Sequence, residues 1–182
     1  MDGSPYSSVF DAAVEGVLAD EGGYSDNRAD RGGPTNFGIS QREYPKLDIK
    51  NLSRDEAIAI YYRDYWLKFS IDKLPASISA KILDLAVLMG PHSAIQCLQN
   101  ALRACGVEIV QDGVIGVQTS RASGVVETNF AVARSKTPPA LTFTSPLLAA
   151  IRSEAAGDLR FRVGMNAKFG QFARGWTDRA YR

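Results

Sequence analysis

A mainly α domain is the fold class the sequence predicts, on three observations. Apolar residues recur at three- and four-residue intervals through most of the chain, the spacing that builds one face of a helix. Helix start and stop residues bracket those stretches. The strongest helix breakers are gathered in one place: residues 22–38 hold five of the sixteen glycines, together with Pro34. At 182 residues with 45% apolar side chains the chain has the size of one ordinary domain, able to bury roughly 70% of its unfolded surface. No run of about 18 apolar residues occurs to span a bilayer. The composition also excludes the disordered, collagen-like and cysteine-scaffold classes.

The elements follow in chain order. Val9, Ala13, Val14, Val17 and Leu18 define an amphipathic helix from Ser8 to about Glu21, stopped by Gly22-Gly23. Residues 22–38 cannot sustain a helix at that glycine density and read as a structured loop or short β-hairpin. Ser53-Arg54-Asp55-Glu56 is a capping box, opening a helix that runs through Tyr61, Tyr62, Tyr65 and Trp66. Ile78, Ile82, Leu85 and Met89 mark the most apolar helix, about 77–89, which Gly90-Pro91 ends. Pro91 opens the next helix and Gly106 closes it. Asp112-Gly113-Val114-Ile115-Gly116 reads as a turn before a helix starting near Gln118. Residues 135–146 read as a surface loop, with two further helices expected near 146–156 and 158–173. The expected division is residues 1–106 and 107–182, packed into one globule.

The formal net charge of +1 hides a split. Residues 1–30 carry seven acids and one base, a net of −6, whereas residues 152–182 carry seven bases and three acids, a net of +4. A uniformly basic nucleic-acid binder is therefore not expected. An acidic site facing a basic tail is, with both bordering the same groove. Cys97 and Cys105 lie eight residues apart in one helix, about 12 Å of rise and beyond disulfide reach. With His92, the one histidine, they match no zinc spacing. A single histidine also argues against a Ser-His-Asp or Cys-His engine, so hydrolytic chemistry would rest on carboxylates.

Two carboxylates stand out. Glu21 ends the first helix, where the negative end of the helix dipole disfavours a second negative charge and suits a carboxyl that must hold a proton. Asp30 follows nine residues later across the glycine-rich loop, which can fold back and set it opposite Glu21. Two carboxylates in one cleft are the working parts of a glycosidase. The bland alternatives are a solvated helix end, an aspartate capping its own turn, or a calcium loop of Asp20, Asp26 and Asp30, which lacks the EF-hand order. Tyr62 and Trp66 line a sugar cleft on one reading and belong to the core on the other. Asp84, within the most apolar helix, needs a partner and reads as a strut orienting the loop through backbone N–H groups.

The stretch Glu21-Gly-Gly-Tyr24 through Asp30 to Thr35-Asn36-Phe-Gly-Ile-Ser-Gln41 resembles the signature of the glycoside hydrolase family 108 muramidases. The likeness continues through Tyr62-Arg-Asp-Tyr-Trp66, Asp84-Leu-Ala-Val87, Gly90-Pro91, Asp112-Gly-Val-Ile-Gly116 and Phe172-Ala-Arg-Gly-Trp176-Thr-Asp-Arg179. It implies a lysozyme-like fold over residues 1–106 and a peptidoglycan-contacting part over 107–182. It also implies cleavage of the β-1,4 bond between N-acetylmuramic acid and N-acetylglucosamine. Glu21 takes the position of the family's acid. Asp30 falls at the second position of the phage-type lysozyme spacing, and Asn36 at the third, with Thr35 beside it. These two are expected to help orient water. Gly22, Gly23, Tyr24, Tyr62, Trp66 and Trp176 are the expected substrate contacts.

Peptidoglycan glycan strands are the implied partner, with no metal or organic cofactor and no nucleic acid. The action is expected in the periplasm or cell wall after synthesis in the cytoplasm. Acids rather than lysines precede the first apolar stretch, so a Sec signal peptide is not expected. Export would need a holin or a secretion apparatus, and an effector aimed at competing cells would be matched by an immunity protein. The alternative is a non-catalytic peptidoglycan-binding or scaffold protein on the same fold.

Overall fold

The computed structural model describes residues 4–26, 33–136 and 144–182. The first helix, α1 (Ser8–Glu21), starts where the Ser7 hydroxyl accepts from Phe10 N–H at 3.2 Å. It stops at Gly22, whose φ of +70° only glycine adopts without strain. Then comes an antiparallel hairpin, β1 (Thr35–Asn36) and β2 (Ile39–Ser40), pairing Thr35 with Ser40 and Asn36 with Ile39. The capping box forms as expected before α2 (Arg54–Tyr61): Ser53 N–H donates to the Glu56 carboxylate at 2.8 Å and Glu56 N–H to the Ser53 hydroxyl at 3.3 Å.

The sequence reading carries this helix unbroken to Trp66, but the chain widens into a π-helical turn over Tyr62–Leu67. The aromatic side chains supply the reason. Tyr61 and Trp66 are both buried, yet five residues of α-helix would set them about 140° apart. The wider turn draws positions five apart toward one side.

At the centre lies α3 (Ala76–Met89), with α1, α4 (Pro91–Ala104) and α6 (Pro146–Met165) packed around it. Phe10, Val14 and Val17 of α1 and Ile78, Ile82 and Leu85 of α3 are essentially inaccessible. Each such side chain contributes about 1.5–3 kcal/mol on burial. A second seam joins Leu98 and Leu102 of α4 to Leu147, Ile151 and Leu159 of α6. Both thiols are free, Cys97 within the core and Cys105 half-buried; burial pushes the Cys97 thiol up to about 12.

Beyond α4, the 112–116 turn is tied down by Gln99. Its amide donates to the Asp112 carboxylate at 2.7 Å and to Val114 O at 3.1 Å, and its carbonyl accepts from Gly113 N–H at 2.8 Å. Helix α5 (Val117–Ser135) follows. One uninterrupted α6 replaces the two helices expected around residue 157. Gly157 costs about 1 kcal/mol within a helix, less than the burial of Ile151, Ala155, Ala156 and Leu159 on the same helix returns. A 3₁₀ turn (Ala167–Phe172) then leads into α7 (Ala173–Tyr181), which folds back along α6. No described helix is long and apolar enough to cross a membrane.

Gly113 has φ +71°, and a Cβ there would lie 2.2 Å from His92 Nδ1. Gly113→Ala is expected to cost about 2 kcal/mol or more, by strain and collision. Adding His92→Ala should recover the collision part alone. Urea denaturation of the single and double variants measures both.

Candidate active site

Glu21, at the last turn of α1, points into a cluster that draws on three helices. Arg179 of α7 donates from Nη1 to Glu21 Oε1 at 2.6 Å and from Nε to Asp84 Oδ1 at 2.6 Å. Asp20 Oδ2 lies 3.7 Å from the same Nε. Asp84 also accepts from Lys81 Nζ at 3.0 Å, and that ammonium donates to Arg179 O at 2.6 Å. Arg182 completes the group through Asp20 at 2.9 Å. Three carboxylates thus meet three cations.

Arg179 and Lys81 are each only 8% exposed, so these bonds are shielded from solvent, as few surface pairs are. Burial pulls the Arg179 guanidinium down, but Asp84 and then Glu21 push it up further, and it ends above its ordinary range. Burial draws the Lys81 ammonium below its usual value against the opposing pull of Asp84.

The hairpin covers the other side of Glu21. Phe37 and Gly38 both have positive φ, 51° and 77°, the combination that a two-residue type I′ connection requires. Gly38 suits it; Phe37 is strained there. The Tyr61 hydroxyl donates to Phe37 O at 2.7 Å and holds the turn in place. A Cβ on Gly38 would lie 2.7 Å from both Glu21 Oε2 and the Tyr61 hydroxyl, so bare backbone caps the carboxylate. Burial, then the negative charge of Glu21, push the Tyr61 phenol above its ordinary range and keep it a donor.

The sequence model of glycosyl hydrolase 108 matches residues 8–90, the span that carries Glu21, the hairpin and Asp84. The solved structure of Brucella abortus SagA superposes with a TM-score of 0.68 at 30% identity, covering 94% of this chain and 88% of that one. The chain belongs to glycosyl hydrolase family 108. No curated protein sequence matches it significantly. At 94% of the chain, the structural match extends well past residue 90.

For this glycoside hydrolase, the residues singled out from sequence divide into distinct groups. Glu21 is half-buried beneath the hairpin, with Gly22, Gly23 and Tyr24 exposed beside it. Asp30 lies outside the described residues. Thr35 is half-buried in β1, its backbone bridged to Ser25. Asn36 has another task than orienting water. It is 6% exposed, and its amide donates to Ile49 O at 3.1 Å and Leu52 O at 3.3 Å, pinning the hairpin to the segment before α2.

Trp66 also leaves the substrate group: it is 3% exposed, with Phe10 edge-on to its ring at 5.4 Å. Tyr62 packs on Tyr6 and Phe10 at 4.6 and 4.9 Å. These rings join α1 to the π turn. Trp176 is half-buried on α7; it stacks with Phe172 at 5.5 Å and meets the tilted ring of Phe169 at 5.3 Å, both partly exposed.

Asp84 is a strut, but it holds Arg179 and Lys81 rather than loop N–H groups. Acid crowding around Glu21, expected from the −6 segment, is answered by cations from the tail. Arg179 and Tyr61 are the two contacts with no assigned role in the sequence reading. Local sequence does not separate Arg179 from Arg174, yet Arg174 is 96% exposed in its side chain and Arg179 10%.

Removing one partner of a buried ionic cluster leaves the others uncompensated. Arg179→Met is expected to destabilise by about 3 kcal/mol, and Arg174→Met by no more than about 0.5 kcal/mol. Paired denaturation curves compare the two.

Proposed function

We propose that this glycoside hydrolase acts on peptidoglycan as an N-acetylmuramidase. It cuts the β-1,4 bond between N-acetylmuramic acid and N-acetylglucosamine, with Glu21 as the general acid. The observation that carries the reading is a carboxylate at a helix end, capped by bare glycine backbone and held in orientation by Arg179. In this reading Glu21 gives its proton to the glycosidic oxygen as the bond to the anomeric carbon breaks. Water attacks that carbon, with Asp30 taking its proton and Thr35 helping to orient it.

Arg179 serves as a positioning residue. Glu21 changes charge during turnover, and a cation held by Glu21 alone would lose its anchor each time. Asp84 and Asp20 retain it, so the carboxyl finds the same donor waiting after every proton transfer. The partly exposed rings of Phe169, Phe172 and Trp176 support glycan contact by the 107–182 part, since sugar C–H faces stack on such surfaces.

Action in the periplasm or cell wall belongs to the same proposal, with export through a holin or secretion apparatus. Purified peptidoglycan and reducing-end analysis test it. Glu21→Gln should retain the fold and lose about 10³-fold or more in turnover, because an amide N–H is far too weak an acid to protonate the leaving oxygen. Equal turnover by both proteins would remove Glu21 from the mechanism. Sedimentation with sacculi but no release of reducing ends by the unaltered protein would select the non-catalytic scaffold instead.

A further inference from the structure

Beside the candidate site, a cavity of about 290 Å³ opens between the segment after β2, the π turn with the residues that follow it, and Pro91 at the start of α4; Glu43, Tyr44, Asp64, Tyr65, Lys68 and Phe69 line it. Its floor is continuous with the catalytic region. Tyr61, which touches the hairpin over Glu21, packs against Tyr65 at 5.5 Å between ring centroids, and Tyr65 against Phe69 at 6.4 Å.

The charges in the cavity are not alike. Asp64 is committed: it accepts from the Tyr44 hydroxyl at 2.9 Å and from Arg63 at 2.7 Å through both Nε and Nη2. Glu43 receives only the Tyr65 hydroxyl, at 3.3 Å, and forms no ion pair among the described residues. Lys68 likewise forms none there, its ammonium lying 5.5 Å from the centre of the Phe69 ring. The cavity is thus edged by a carboxylate and an ammonium, Glu43 and Lys68, that form no ion pair among the described residues, although Lys68 lies within the field of Asp64, with the rings of Tyr65 and Phe69 beside them. The turn that builds its wall is π-helical, a rare geometry frequently found at functional sites.

We infer that this cavity is a subsite for the stem peptide of the substrate, taking its zwitterionic diamino-acid portion. Glu43 meets the ammonium, Lys68 the carboxylate, and Tyr65 and Phe69 the aliphatic chain between them. The inference rests on the muramidase reading for its location. Stem peptides hang from the lactyl group of muramic acid, the sugar whose bond would be cut, so a peptide subsite must border the acid. The Tyr61–Tyr65 pair supplies that border. The enzyme would then prefer glycan strands that still carry peptides.

The test compares kinetics on peptide-bearing glycan strands with the same strands stripped by an amidase, for the unaltered enzyme, Lys68→Met and Glu43→Gln. Calorimetric titration with a soluble stem tetrapeptide containing diaminopimelate runs alongside. Losing one charge-assisted contact should raise KM about tenfold more on peptide-bearing than on stripped strands, and the titration signal should fall in both variants. An equal rise on the two substrates, or no binding of the tetrapeptide to the unaltered enzyme, would overturn the subsite. If the unaltered enzyme cleaves neither strand, the muramidase reading falls, while the titration still decides whether the cavity binds the peptide.

Discussion

The tie between Arg179 and the carboxylates of Glu21 and Asp84 is the constraint on which the arrangement around the candidate acid depends. It joins residues 158 positions apart. A buried ionic group is costly to desolvate, and its attraction offsets that cost only with good geometry. Here the geometry is supplied from three sides: α1 brings Asp20 and Glu21, α3 brings Asp84 and Lys81, and α7 brings the guanidinium. Lys81 also bonds the carbonyl of Arg179, so backbone and side chain of the last helix are fixed together. The helical core sets the three elements at the distance where these bonds close.

The hairpin is subordinate to the same arrangement. Its turn is strained at Phe37 and has no room for a side chain at position 38. It is held from below by Tyr61 and from the flank by Asn36 and Gln41, whose amides donate to carbonyls of residues 44–52. Five hydrogen bonds around two two-residue strands make a rigid lid of a segment too short to be stable alone. What the lid presents to Glu21 is glycine backbone.

Local signals made most of the fold readable from sequence. Ser53 and Glu56 announce α2, Gly22 and Gly90 stop their helices, and Pro91 and Pro146 open theirs, because caps and breakers act within a few residues. The candidate acid stood out for the same reason, as a carboxylate at a helix end before two glycines. Readings failed where distant parts decide. Gly157 looks like a break until the core seam on either side is counted. Asn36 looks like a catalytic amide until the carbonyls of Ile49 and Leu52 are found around it. Tyr62 and Trp66 have the composition of a sugar platform, and only the presence of Tyr6 and Phe10 assigns them to packing. Arg179 was the hardest, since nothing near it in sequence distinguishes it from Arg174.

The separation of Glu21 from Arg179 also orders events in time. At a synthesis rate of about 5–20 residues per second, roughly ten to thirty seconds pass between the two leaving the ribosome's catalytic centre. During that interval α1, α3 and α4 can pack, yet the carboxylate has no guanidinium to meet. The cluster around Glu21 therefore closes only after residue 179 has been made, and a chain arrested before that point carries the carboxylate without the guanidinium that aims it.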